Sequence, residues 1–156
     1  MFKTAEDALR YAQEHKIKMV DFKFVDLFGR WHHVTIPVSY LSEKTFEQGV
    51  SFDSSSTPGF KGVEAGDMNM IPDPQTGILD PFCEPETLSF ICSIYEADTH
   101  QEISRDPRLV SIRAERYMQK SGIADFTKWL PEFEFYVFNE VRYQNDANAC
   151  GYLVKS

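Results

Sequence analysis

The sequence predicts an α+β chain in two parts: a mostly β unit led by a helix over residues 1–103, and the beginning of a second unit over residues 104–156. Three observations carry this reading. Apolar and polar residues alternate along residues 20–24, 31–36 and 87–95, the period-two pattern of strands. A polar connection, Glu96 to Ser104, then separates these strands from a helix signal and one further aromatic strand. That last strand has no sheet partner in its own unit to satisfy its backbone groups, so the second unit reads as incomplete.

The elements follow in order. Thr4 and Asp7 resemble a capping pair, and Ala5, Ala8, Leu9 and Ala12 follow at helical spacing, predicting an amphipathic helix over about residues 5–15. A hairpin comes next. Val20, Phe22 and Phe24 alternate with Asp21 and Lys23, Asp26 to Gly29 make the turn, and Trp31 to Ile36 alternates again before Pro37. A short helix from Ser39 or Ser42 to Gln48 is closed by Gly49. Residues 51–87 are rich in Ser, Pro, Gly and Asp and read as loop with brief strands at Asp67–Ile71 and Ile78–Phe82. In the strand from Thr87 to Tyr95, Leu88, Phe90, Cys92 and Ile94 share one face.

In the second part, Asp106-Pro107 supplies an N-cap with proline at the first helical position. The helix runs to Gly122, with Val110, Ala114, Tyr117 and Met118 as its expected buried stripe. A strand from Pro131 to about Tyr143 follows, and residues 144–156 carry no strong pattern.

Composition narrows the function classes. A 42% hydrophobic share with 13 Phe and 7 Tyr belongs to a folding chain. The net charge of -8 argues against nucleic acid as a partner. Three widely spaced cysteines, Cys83, Cys92 and Cys150, suit neither a disulfide framework nor a zinc knuckle and read as reduced thiols of a cytoplasmic protein. Glu6 and Asp7 stand where a secretory signal would be basic and then apolar, and no apolar run reaches the length of a membrane span.

The chemistry-bearing pattern is Pro131-Glu132-Phe133-Glu134-Phe135. On a strand, Glu132 and Glu134 share a face with α-carbons roughly 6.5 to 7 Å apart, a repulsive placement unless a cation compensates or one carboxylate takes a proton. Hard divalent ions such as Mg²⁺ or Mn²⁺ prefer such oxygen ligands. The same alternation also describes a strand with one solvated face, and the pattern alone leaves both readings open.

Other segments bear on the choice: Phe24-Val25-Asp26-Leu27-Phe28-Gly29-Arg30-Trp31 with Ile36-Pro37, Ser51-Phe52-Asp53-Ser54-Ser55-Ser56 with Gly59-Phe60, and Asp67-Met68 with Ile71-Pro72-Asp73-Pro74. Asp80-Pro81-Phe82, Arg105-Asp106-Pro107-Arg108, Gly122-Ile123-Ala124-Asp125 and the Pro-Glu-x-Glu strand complete the set. In this order and spacing, covering nearly the whole chain, they resemble the N-terminal part of type I glutamine synthetase, the ATP-dependent glutamate-ammonia ligase.

The resemblance implies a β-grasp N-terminal domain followed by the first helix and strand of the family's catalytic α/β domain. It implies that Glu132 and Glu134 are ligands of two divalent ions, Mg²⁺ or Mn²⁺, with Glu132 on the ATP side and Glu134 on the glutamate side. It implies that Asp53 belongs to a loop that reaches a neighbouring subunit's active site and helps bind ammonium. Without the resemblance, Asp53 reads as a loop carboxylate making an Asx turn with Ser55.

The family's usual loop has glycine at the position of Ser54, so a positive φ there would strain serine. The remaining metal ligands, nucleotide-binding residues, substrate arginines and flap of the family are expected beyond Ser156, leaving the 156 residues catalytically incomplete. For the intact protein the resemblance implies glutamate, ammonium and ATP as substrates and a dodecamer of two hexameric rings. Two alternatives stay open: a short interaction module that associates with full-length subunits, and part of a related γ-glutamyl-amine ligase. His32 and His33, adjacent on a strand, face opposite ways and read as packed or surface residues. Arg105 and Arg108 flank a helix start, where local salt bridges are expected.

Overall fold

Thr4 begins the structure's first helix, α1 (Ala5–Glu14), by accepting a hydrogen bond from the Asp7 amide at 3.1 Å. Here and throughout, the structure is a computed structural model that describes residues 1–60 and 66–156. Ala8 and Ala12, one helical turn apart, form the buried stripe of α1. Strands β1 (Met19–Val25) and β2 (Trp31–Pro37) pair antiparallel around the Asp26–Arg30 turn. Helix α2 (Glu43–Gln48) starts at a Ser42–Thr45 capping box and stops at Gly49, whose φ is +79°.

Strands β3 (Val50–Asp53) and β4 (Asp67–Pro72) form a second antiparallel pair. The two-residue β5 (Ile78–Leu79) and the long β6 (Thr87–Glu96) follow. The strand order is β2-β1-β6-β4-β3. β6 runs parallel to β1 on one side, while β5 and β4 lie antiparallel to successive stretches of its other side. The apolar face of this mixed sheet and the two helices enclose one core. Phe22, Phe90, Met68, Met70, Leu88 and Ile94 are at its centre. Phe46 of α2 meets Phe90 edge-on at 5.4 Å. Phe24 packs on Phe52 and Phe60, which ties β1 to the β3 segment.

On the opposite face, Asp21 accepts hydrogen bonds from Thr35 and, at 2.7 Å, pairs with His33. His32, on the other side of β2, pairs with the buried Asp26 at 2.8 Å. Arg108 makes an ion pair with Asp73, so its partner is distant in sequence. The cysteines form no disulfide, and no described helix is long and apolar enough to cross a membrane.

Helix α3 (Pro107–Ser121) begins at Asp106, buried and hydrogen-bonded to the Arg108 amide, and ends at Gly122 in the left-handed region. The expected stripe is corrected: Val110, Ala114 and Tyr117 are exposed, and Leu109 is the buried residue of the helix. Arg113 bonds the carbonyls of Ile103 and Ser104, which selects this face.

Contacts divide the chain into two compact units, Met1–Asp125 and Phe126–Ser156. The second holds a hairpin, β7 (Glu140–Asp146) and β8 (Ala149–Lys155). Two expectations are corrected here. Residues 131–138 are not a strand, because no described strand pairs with them, and an unpaired strand leaves its N–H and C=O groups unsatisfied. Residues 149–155, read as patternless, instead form β8, with the Lys155 ammonium on Glu140 at 2.6 Å.

Candidate functional site

Asp53 ends β3 and Asp67 begins β4, and the antiparallel register places them as direct partners. Side chains of such partners project from the same face, so two exposed carboxylates stand together where the pair opens into its connection. The Asp53 Oδ1 accepts the Ser55 amide at 2.8 Å. This bond, with a further one from the Ser55 side chain, holds the Asp53 carboxyl below the ordinary carboxylate range, against a smaller opposing effect of desolvation. The Asx turn read from the sequence is therefore present, and its effect is to keep Asp53 charged.

Ser54 is fully buried, and its amide donates to the Gly66 carbonyl at 2.7 Å. Its φ is not positive, so the serine in place of the family's glycine brings no backbone strain. Gly66 lies against Asp53 so closely that a Cβ there would be 2.7 Å from Oδ1. The chain beyond Asp53 continues through the Ser54–Thr57 and Thr57–Phe60 backbone bonds. Gly59, at φ +84°, passes against Leu27, while Phe52 and Phe60 seat the segment on Phe24. Lys61 to Ala65 lie outside the described residues.

Glu132 and Glu134 are both exposed and belong to the second unit, whereas Asp53 belongs to the first. They offer oxygen donors only, the set that hard divalent ions take. Among the described residues no group of three or more His, Cys, Asp or Glu is assembled to hold a metal, so these two would be part of a ligand set.

Three features escaped the sequence reading. The Asp53–Asp67 pairing needed the β3–β4 register, and β3 itself lay in a stretch read as loop. Gly66 was unmarked because its constraint is a side chain thirteen positions earlier. Arg105 reaches the carbonyls of Gly59 and Phe60, a link of 46 and 45 residues that no local pattern signals.

Comparison with known proteins agrees with this architecture. Residues 16–97 match the family described as glutamine synthetase, beta-Grasp domain. The glutamine synthetase of Azotobacter vinelandii is 42% identical over 149 residues, covering 96% of this chain and 32% of the relative. That of Pasteurella multocida is 43% identical over 148 residues, covering 95% and 31%. The chain thus spans about a third of the length of the curated relatives it matches. The solved structure of Plasmodium falciparum glutamine synthetase shares the fold with a TM-score of 0.75 at 20% identity, over 99% of this chain and 30% of that one. With the β-grasp sheet formed by the very residues that the family match covers, the chain belongs to the glutamine synthetase family.

Proposed function

We propose that this chain contributes the ammonium-binding loop and part of the metal site of an ATP-dependent ligase that joins ammonia to glutamate. The observation that carries the reading is Asp53, exposed, held charged by Ser55 and doubled by Asp67 across the strand pair. A compact anionic site of this kind suits a small cation better than a bulky amine.

The chemistry needs such a group. Glutamate's γ-carboxylate is a poor acyl donor until ATP converts it to an acyl phosphate, γ-glutamyl phosphate. Ammonium has no free lone pair, so a carboxylate that holds it and takes one proton releases the nucleophile. Ammonia's lone pair then forms the bond to the carbonyl carbon of the γ-glutamyl phosphate, the carbon–oxygen bond to phosphate breaks, and inorganic phosphate leaves. In this reading Asp53 binds the cation and accepts the proton, in a site shared with a neighbouring subunit, and Asp67 adds negative potential. Glu132 and Glu134 would hold Mg²⁺ or Mn²⁺, which when bound neutralises charge on the transferring phosphoryl group.

The test is glutamine formation from glutamate, ammonium, ATP and Mg²⁺, measured on the full product of the reading frame. Asp53→Ala is expected to lower kcat/KM for ammonium by about 10²-fold or more, the usual worth of a positioned proton acceptor. Activity unchanged by Asp53→Ala, or a preference for a larger amine, would sink the proposal.

A further inference from the structure

We infer that Arg105 is a positioning residue for the Asp53 loop, fastening its Gly59–Phe60 turn to the connection between β6 and α3 through the carbonyls of those two residues. The inference rests on the reading of Asp53 as the ammonium site. The guanidinium Nη1 lies 3.0 Å from each carbonyl oxygen. One such nitrogen carries two N–H donors, so a single atom of Arg105 satisfies both acceptors. Successive carbonyls of an extended chain point opposite ways; at Gly59 φ is +84°, and both turn toward the same nitrogen.

The anchor itself is firm. On one side of Arg105, Ile103 is buried in the core. On the other, Asp106 is buried and accepts the Ile94 amide at 2.8 Å and the Arg108 amide at 2.9 Å. Residues 103–106 are thereby stapled to the central strand β6, and the Arg105 side chain transmits that position to the loop. Among the described residues, Gly59 and Phe60 also meet Leu27 and Phe24, apolar contacts that exert no directional hold on the backbone. The carboxylate of Asp53 and the amide of Ser55 lie on the same loop, upstream of the clamp.

The experiment compares this chain with Arg105→Met, which keeps the apolar stem without donors, and Arg105→Lys, whose ammonium carries donors for both carbonyls. Amide hydrogen exchange is read at Ser54 and Thr57, and the Asp53 carboxyl is titrated by NMR. In Arg105→Met, exchange at Ser54 and Thr57 should quicken about tenfold or more while the β1 and β6 amides stay as they were. The Asp53 titration should move up toward the ordinary carboxylate range, a change that a purely global loss of stability would not produce. Arg105→Lys should recover the slower exchange. Native exchange and native titration in Arg105→Met overturn the proposal. Ammonium binding at Asp53 is judged separately, by the activity of Asp53→Ala in the full product, so the two readings fail on different measurements.

Discussion

Asp53 and Asp67 face each other across the last register position of the β3–β4 pair, two carboxylates on one face with a loop between them. Like charges placed this way repel, and a bound cation relieves the repulsion. Asp67→Asn removes the second charge. The Asp53 titration should then move further down, and the KM for ammonium should rise by about two- to fivefold, the scale of an exposed charge pair. NMR titration and ammonium-dependent kinetics check the two halves independently.

Gly66 tests whether the place of the Asp53 carboxylate matters more than its presence. A Cβ at this position would sit 2.7 Å from Oδ1, and that oxygen can move aside only by leaving the Ser55 amide. Gly66→Ala should therefore raise the Asp53 pKa and cut kcat/KM for ammonium by about tenfold or more. Because the clash is with a side-chain end, unfolding free energy should change by less than about 1 kcal/mol. A large loss of stability with unchanged kinetics would contradict this.

The opposite outcome is expected at Gly49. Its φ of +79° and ψ of -172° lie in a region open almost only to glycine, and an added Cβ would be 2.6 Å from the Met70 carbonyl oxygen. The obstacle is backbone on both counts. Gly49→Ala should cost about 2 kcal/mol or more, measured by denaturant unfolding of this chain.

Asp26 gives the fold a pH dependence of known sign. Its pairing with His32, helped by the Arg30 and Phe28 amides, holds its carboxyl below the ordinary range despite opposing desolvation. A carboxyl lowered in the folded state stabilises above its unfolded pKa, and that contribution is lost as pH falls through the folded value. Asp26→Asn should lower the melting temperature near neutrality and flatten its decline in acid. An unchanged acid limb would show that other groups govern it.

Glu132→Ala and Glu134→Ala bear on the metal reading. Both side chains are exposed, so the unfolding free energy should hold within the usual range for surface substitutions, about 0.5 kcal/mol. The Mg²⁺ concentration for half-maximal activity of the full product should rise about tenfold or more, since loss of outer partners alone has that effect. Unaltered metal dependence in both variants removes these residues from the site.

Legibility in the sequence followed the range of each signal. Helices α1 and α2 and strands β1, β2 and β6 carry their own period and their own stop, and they were readable locally. β3 was not, because Val50 and Phe52 give only two apolar beats inside a run of serines. β8 and the second half of β7 were missed for another reason: nearly all their residues are exposed, so no buried face imposes an alternation. Phe133 to Phe138 erred the other way, with strong strand preference but no described partner. Of the proposed site residues, Asp53 was singled out only through the resemblance, whereas Glu132 and Glu134 also stood out in the sequence as a carboxylate pair. Asp67, Gly66 and Arg105 join it through register and reach, neither of which a local pattern contains.

The parallel pairing of β1 with β6 also sets an order of events. Met19 meets Thr87 and Lys23 meets Ile91, so the first strand waits for a neighbour made almost seventy residues later. Until then β1 has only β2, and a two-stranded hairpin is marginal in water. During synthesis the helix-and-hairpin segment therefore emerges with Val20, Phe22 and Phe24 uncovered, and the sheet closes late, around a contact of high sequence separation. Any interruption of the chain before Glu96 leaves a sticky hairpin rather than a smaller version of the domain.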